Sequence, residues 1–141
     1  MSRHRRIALD TNVFIYEFEA NPRYLVLTNA VFQWLENPEH RAVTSMVTLT
    51  KILVGPFRAG DESRARTLRG FLLNYPRLEW IPPDIGSATT AARLRVRHGL
   101  HTVDAIQVAT AVHSLATCLI GNDAAFRRVT DIETILLDDY V

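Results

Sequence analysis

The sequence has a single cysteine, Cys118, among 141 residues. It can therefore close no internal disulfide and offers no cysteine cluster for zinc, which fits a reducing compartment. It is almost without lysine: Lys51 stands alone, and the other fifteen of the sixteen basic residues are arginine, whose planar fork suits phosphate. Net charge is also small, 16 basic against 15 acidic residues for a formal +1. A surface coated in positive potential is thus excluded, and any nucleic-acid face must gather its arginines on one side. No apolar run approaches the ~20 residues that span a bilayer, so no membrane partner is expected. The basic start of the chain carries only Ile7-Ala8-Leu9 as an apolar stretch. That is too short for the apolar core of a secretory signal, and the expected location is cytoplasmic. No Gly-rich phosphate loop, Walker loop or Ser-His-Asp pattern occurs, and the five histidines (His4, His40, His98, His101 and His113) lack metal-ligand spacing.

What remains is an ordinary globular composition, 48% hydrophobic and 22% charged. The length suits one domain, residues 1–141. Short strand-like runs at 6–9, 41–44, 78–81, 117–120 and 134–137 alternate with helical patterns. Helices are expected over 11–18, from an Asn21-Pro22 start to Asn37-Pro38, over 61–75, over 84–98, and from a Thr102 cap to about residue 115, with a short helical turn over 124–129. Residues 46–54 read as helix or strand, with Gly55-Pro56 as the stop. Leu68, Phe71, Leu72 and Tyr75 are expected to face inward. Short apolar strands separated by helices predict an α/β fold, a parallel central sheet flanked by helices. In such sheets ligands bind beyond the carboxyl ends of the strands.

Three aspartates fall in that region. Asp10 follows one strand, Asp123 follows another, and Asp104 lies in the first turn of the helix after Thr102. Singly, Asp10 and Asp123 read equally well as helix N-caps, and Asp104 as a complement to a helix dipole. Together, three carboxylates at one sheet edge repel each other unless a cation lies among them. All-oxygen donors without Cys or His favour Mg²⁺ or Mn²⁺ over zinc. Such an ion clamps phosphate oxygens and lowers the pKa of a bound water, so the pattern points to a metal-dependent nuclease.

Four ordered segments carry a more specific likeness: Leu9-Asp10-Thr11-Asn12-Val13-Phe14, residues 44–55 (TSMVTLTKILVG), residues 103–111 (VDAIQVATA), and Gly121-Asn122-Asp123-Ala124-Ala125-Phe126. In this order and spacing they resemble PIN-domain ribonucleases, especially the VapC-like toxins of bacterial toxin–antitoxin pairs. The likeness spans essentially the whole chain. It implies a PIN-like parallel sheet, a Mg²⁺- or Mn²⁺-dependent endoribonuclease acting on RNA, homodimerisation and inhibition by a cognate antitoxin. It also implies that Asp10, Asp104 and Asp123 form the metal site, with Asn12 and Asn122 orienting ligands or water. The sequence departs from the family at Lys51, where a glutamate usually supplies a fourth acid, and at Gly121, where a hydroxyl residue often precedes Asn-Asp.

An ammonium has no lone pair for a metal. Lys51 leaves three readings: a weakened one-metal nuclease, a metal-free module that binds RNA or a partner without cutting, or a point charge on the scissile phosphate. Opposing an ion 4 Å away at an effective dielectric near 20 costs on the order of several kcal/mol before relaxation. A lysine turned away from the site is the bland alternative. Two arginine clusters, Arg64/Arg66/Arg69 and Arg93/Arg95/Arg97 with His98, read mainly as solvated helix faces, with some members expected along an RNA groove. Trp34, Trp80 and Tyr75 are expected in the core or a dimer interface. A phosphate-accepting signalling domain built on Asp10 shares the α/β pattern, but no paired acid precedes Asp10.

Overall fold

The computed structural model describes residues 3–141; Met1 and Ser2, part of the expected 1–141 domain and of its basic start, lie outside the described residues. Five strands form one sheet in the order β3-β2-β1-β4-β5. They are β1 (Arg6–Leu9), β2 (Arg41–Ser45), β3 (Leu78–Ile81), β4 (Cys118–Gly121) and β5 (Glu133–Leu136). Every pairing is parallel. The connections travel outward from β1 through β2 to β3, then return to the other side of β1 for β4 and β5. The strand order therefore reverses between β1 and β4, and in sheets of this kind ligands bind outside the carboxyl ends of the strands at that point.

Alternation along the strands sorts side chains onto two faces. Ile7, Leu9, Cys118 and Ile120 point to a core shared with Val13, Phe14, Val31, Leu35, Ile52 and Leu72. Ala8, Val43 and Leu119 point the opposite way, to Ala91, Leu94, Ala105, Val108 and Phe126. Covering these faces are α1 (Thr11–Phe18), α2 (Leu25–Leu35), α3 (Met46–Arg58), α4 (Glu62–Leu73), α5 (Ile85–His98) and α6 (Thr102–His113). Among the described residues no helix is long and apolar enough to cross a membrane.

Several helix ends differ from the sequence expectation, each for a local reason. Asn21 does not open α2. Its Oδ1 accepts the Arg23 N–H at 3.0 Å, an Asx-type turn that delays the helix to Leu25. Gly55-Pro56 does not stop α3. Pro56 lies near the C-terminal end, where its missing N–H removes one bond, its ring is buried, and the end is set by Gly60 at φ 68°. Thr102 does not cap α6. His101 takes the cap position, and the Thr102 hydroxyl instead accepts from Arg95 Nη1 at 3.0 Å. Phe71 is 53% exposed, although it still meets Phe18 and Tyr75 edge-on. Trp80 and Tyr75 pack against the core, Trp80 also donating to the Leu72 carbonyl at 3.0 Å.

Candidate metal centre

The first acid is positioned by two strands at once. The N–H of Asp10 donates to the Ile120 carbonyl of β4 at 2.9 Å, extending the β1–β4 pairing just as the chain turns into α1. Its side chain is 2% exposed and does not cap α1. Asp10 Oδ1 is buried without a hydrogen-bond partner. An orphaned carboxylate oxygen is costly, so the proton is held more tightly: burial pushes the Asp10 pKa up to about 6. The Thr11 amide and Lys51 pull the other way, while Asp104 and Asp123 add to the rise.

Asp104 enters from the first turn of α6 and is also buried. Its pKa is raised chiefly by burial, then by the charge of Asp123 and by a hydrogen bond between the two carboxyls; Lys51 and His101 oppose this. Asp123 has a double use. Its Oδ1 accepts the Ala125 N–H at 2.8 Å, capping a 3-10 turn over Ala124–Arg128, while its charge faces Asp104. The cap expected of Asp123 is therefore present, and it leaves the charge of the same side chain facing Asp104. The charges of Asp104 and Asp123 thus both reach Asp10, and that of Asp123 reaches Asp104, at the carboxyl ends of β1 and β4.

Lys51, on α3, is exposed and takes part in none of the ion pairs among the described residues. Its charge nonetheless lowers the pKa of both Asp10 and Asp104, so it stands at the rim of the site. Asn12 is half-buried beside Asp10. Asn122 is committed elsewhere. Its amide donates to the Tyr16 hydroxyl at 3.2 Å, and its Oδ1 accepts the Asp138 N–H at 2.8 Å, tying the end of β4 to α1 and to the C-terminal segment.

Gly121 has a packing reason. A Cβ there would stand 3.0 Å from the Asp10 Cβ and 3.0 Å from Phe126 Cε2. The missing side chain lets the Phe126 ring and Asp10 close on β4. This residue drew attention in the sequence only as a departure from a motif; its contacts explain it. Thr11, Thr44, Thr48 and Gln107 are buried polar side chains that fall within the ordered segments of the family likeness, but nothing in the sequence singles them out there as parts of the site.

Among the described residues no three His, Cys, Asp or Glu side chains close on a single point as a finished ligand cage. Mg²⁺ does not need one: it keeps several waters and is typically held by one or two carboxylates. An orphaned, buried carboxylate oxygen beside two further carboxylates, with no nitrogen or sulfur donor, fits a hard dication of that kind.

The arginine cluster on α5 is largely structural. Arg97 and His98 both hold Asp131, each at 2.7 Å, and Arg95 Nε donates to the Leu100 carbonyl at 3.1 Å. Arg64, Arg66 and Arg69 lie exposed on α4. His4 is buried against Thr117, and His40 stacks on Trp34 with centroids 4.0 Å apart.

A parallel α/β sheet with acids at the carboxyl ends of its central strands defines the class. The PIN domain family model matches residues 7–132, and the chain belongs to the PIN-domain family. Similar solved structures include a toxin–antitoxin complex from Klebsiella pneumoniae, at 20% identity and TM-score 0.68 over 93% of this chain and 97% of that one. VapBC2 from Rickettsia felis, bound to a DNA fragment from their promoter, matches at 19% identity and TM-score 0.71 over 93% and 98%. VapBC-1 from nontypeable Haemophilus influenzae matches at 23% identity and TM-score 0.70 over 94% and 98%. No curated protein sequence matches the chain.

Proposed function

We propose that this chain, acting as one PIN domain over residues 1–141, is a Mg²⁺- or Mn²⁺-dependent endoribonuclease and the toxin half of a toxin–antitoxin pair. The observation that carries the reading is Asp10: a buried carboxylate oxygen without a partner, faced by two more carboxylates at the switch point of the sheet. The toxin assignment is supported by the likeness in fold to chains from toxin–antitoxin complexes. An antitoxin partner, a homodimer and a cytoplasmic location belong to the same proposal.

Asp10, Asp104 and Asp123 would hold the ion. When bound, a divalent ion neutralises charge on a phosphodiester and makes water a nucleophile near neutral pH. Asp10 would offer the ion its unpartnered carboxylate oxygen, and its burial would keep bulk water from competing for that oxygen. Asp104 and Asp123, the second fixed by its bond from the Ala125 N–H, would face the ion with two further carboxyl groups. Lys51 offers the RNA phosphate a point charge from the rim while weakening the hold of the acids on a cation. Asn12, two residues after Asp10 and half-buried, would orient substrate or water. Asn122, with both ends of its amide engaged, supports the site by fixing β4.

A second reading is favoured by Lys51 itself. Its charge already acts on two of the three acids, as in a module that binds RNA or an antitoxin with catalysis impaired. Metal titration followed by RNA cleavage separates the two. The nuclease reading requires cutting that depends on a divalent ion and disappears in Asp10→Asn. RNA or partner binding that persists in EDTA, without cutting at any metal concentration, replaces it with the second.

A further inference from the structure

Beneath the carboxylates runs a chain of uncharged polar side chains, all closed off from solvent: Thr11, Thr44, Thr48 and Gln107 are at most 2% exposed. The Thr44 hydroxyl donates to the Leu9 carbonyl at 2.8 Å. A hydroxyl has one proton, so in the 2.8 Å contact between Thr44 and Thr48 the donor is Thr48. Thr48 Oγ1 in turn accepts from Gln107 Nε2 at 2.7 Å and from the Thr11 hydroxyl at 3.3 Å. Donation therefore runs one way, from an amide on α6 to a carbonyl at the end of β1. Gln107 is the side chain that starts it.

The endpoints matter more than the bonds. Gln107 lies one turn after Asp104 on α6, and Thr48 lies one turn before Lys51 on α3. Leu9 and Thr11 flank Asp10. Residues three apart on a helix share a face, so a displacement at Gln107 or Thr48 is passed to the charged residue one turn away. The network thus joins the backbone segments that carry Asp10, Lys51 and Asp104.

We infer that Gln107 is a positioning residue: by donating to Thr48 it sets the spacing of α3 from α6, and with it the aperture between Lys51 and the carboxylates of Asp10 and Asp104. Where it concerns ion affinity, the inference rests on the metal-dependent reading above. Without the amide N–H, Thr48 is left in a dry interior with an acceptor position unfilled, and α3 and α6 separate or rotate to relieve it.

The test uses Gln107→Met, which keeps length and removes the N–H; Thr48→Val, which keeps shape and removes the hydroxyl; and Thr48→Ser, which keeps the hydroxyl. Crystal structures of the parent and Gln107→Met give the α3–α6 spacing, and Mn²⁺ titration gives the dissociation constant of the folded protein. The spacing should change in Gln107→Met. Mn²⁺ binding should weaken about tenfold in Gln107→Met and Thr48→Val, with little further loss in the double variant and near-parental affinity in Thr48→Ser. A merely structural residue would lower Tm and leave Mn²⁺ binding unmoved. Parental spacing in Gln107→Met, or a Mn²⁺ constant within about twofold of the parent, overturns the inference. If the parent takes up Mn²⁺ no better than Asp10→Asn, the metal reading falls separately, and the measured spacing still decides the role of Gln107.

Discussion

Gly121 and Asp10 are in contact through the space where a side chain would be: a Cβ on Gly121 would lie 3.0 Å from the Asp10 Cβ. The same Cβ would press on the Phe126 ring, which is fully buried. Gly121→Ala should therefore destabilise the fold by about 1–3 kcal/mol through overpacking, read as a lower urea midpoint. It should also push Asp10 away from the other acids and weaken Mn²⁺ binding. Unchanged stability and unchanged binding would mean that β4 yields here at no cost.

Asp10 makes stability depend on pH in a defined direction. In the folded apo-protein it keeps its proton up to about pH 6, whereas in the unfolded chain it ionises near pH 4. Between those values the unfolded state binds fewer protons, so stability falls as pH rises, by on the order of a few kcal/mol at full effect. Asp104, also raised, contributes with the same sign. In EDTA the parent should lose stability relative to Asp10→Asn between about pH 4 and pH 7. A difference between the two that stays flat across that range refutes the assignment.

A divalent ion competes with that same proton. The Tm increase that saturating Mn²⁺ confers should be larger at about pH 7.5 than at about pH 5, and absent in Asp10→Asn. Equal increases at both pH values would place the ion elsewhere.

Lys51→Glu replaces a repelling charge at the rim with an additional oxygen donor. Mn²⁺ affinity should rise by about tenfold or more, and RNA cleavage should rise with it. If titration and cleavage assays both match the parent, Lys51 does not act on the ion.

Asp131 collects Arg97 and His98 at the end of α5. Asp131→Ala should cost about 1 kcal/mol in thermal unfolding, and leave the salt dependence of RNA binding unchanged. A steeper salt slope, from a freed Arg97 that gains a phosphate contact, would return Arg97 to the RNA surface.

Much of this architecture is legible in the sequence. Ile7-Ala8-Leu9 and Leu119-Ile120 read as buried parallel strands because both of their faces are covered, and the acids after them mark the carboxyl ends. Punctuation was less reliable. Gly55-Pro56 and Asn21-Pro22 carry strong local signals, but burial of Pro56 and the turn at Asn21 decide where the helices begin and end. The three aspartates of the proposed site are picked out by residue type and position. That Asn122 is spent on Tyr16 and Asp138, that Gly121 makes room for Asp10, and that Gln107 feeds Thr48 are long-range contacts. No periodicity encodes them.

The order of the strands also has a consequence in time. Because β4 slots in beside β1 only after β2 and β3 have been made, and Asp123 follows β4, Asp10 and Asp123 come together on a nascent polypeptide only once every strand but the last exists.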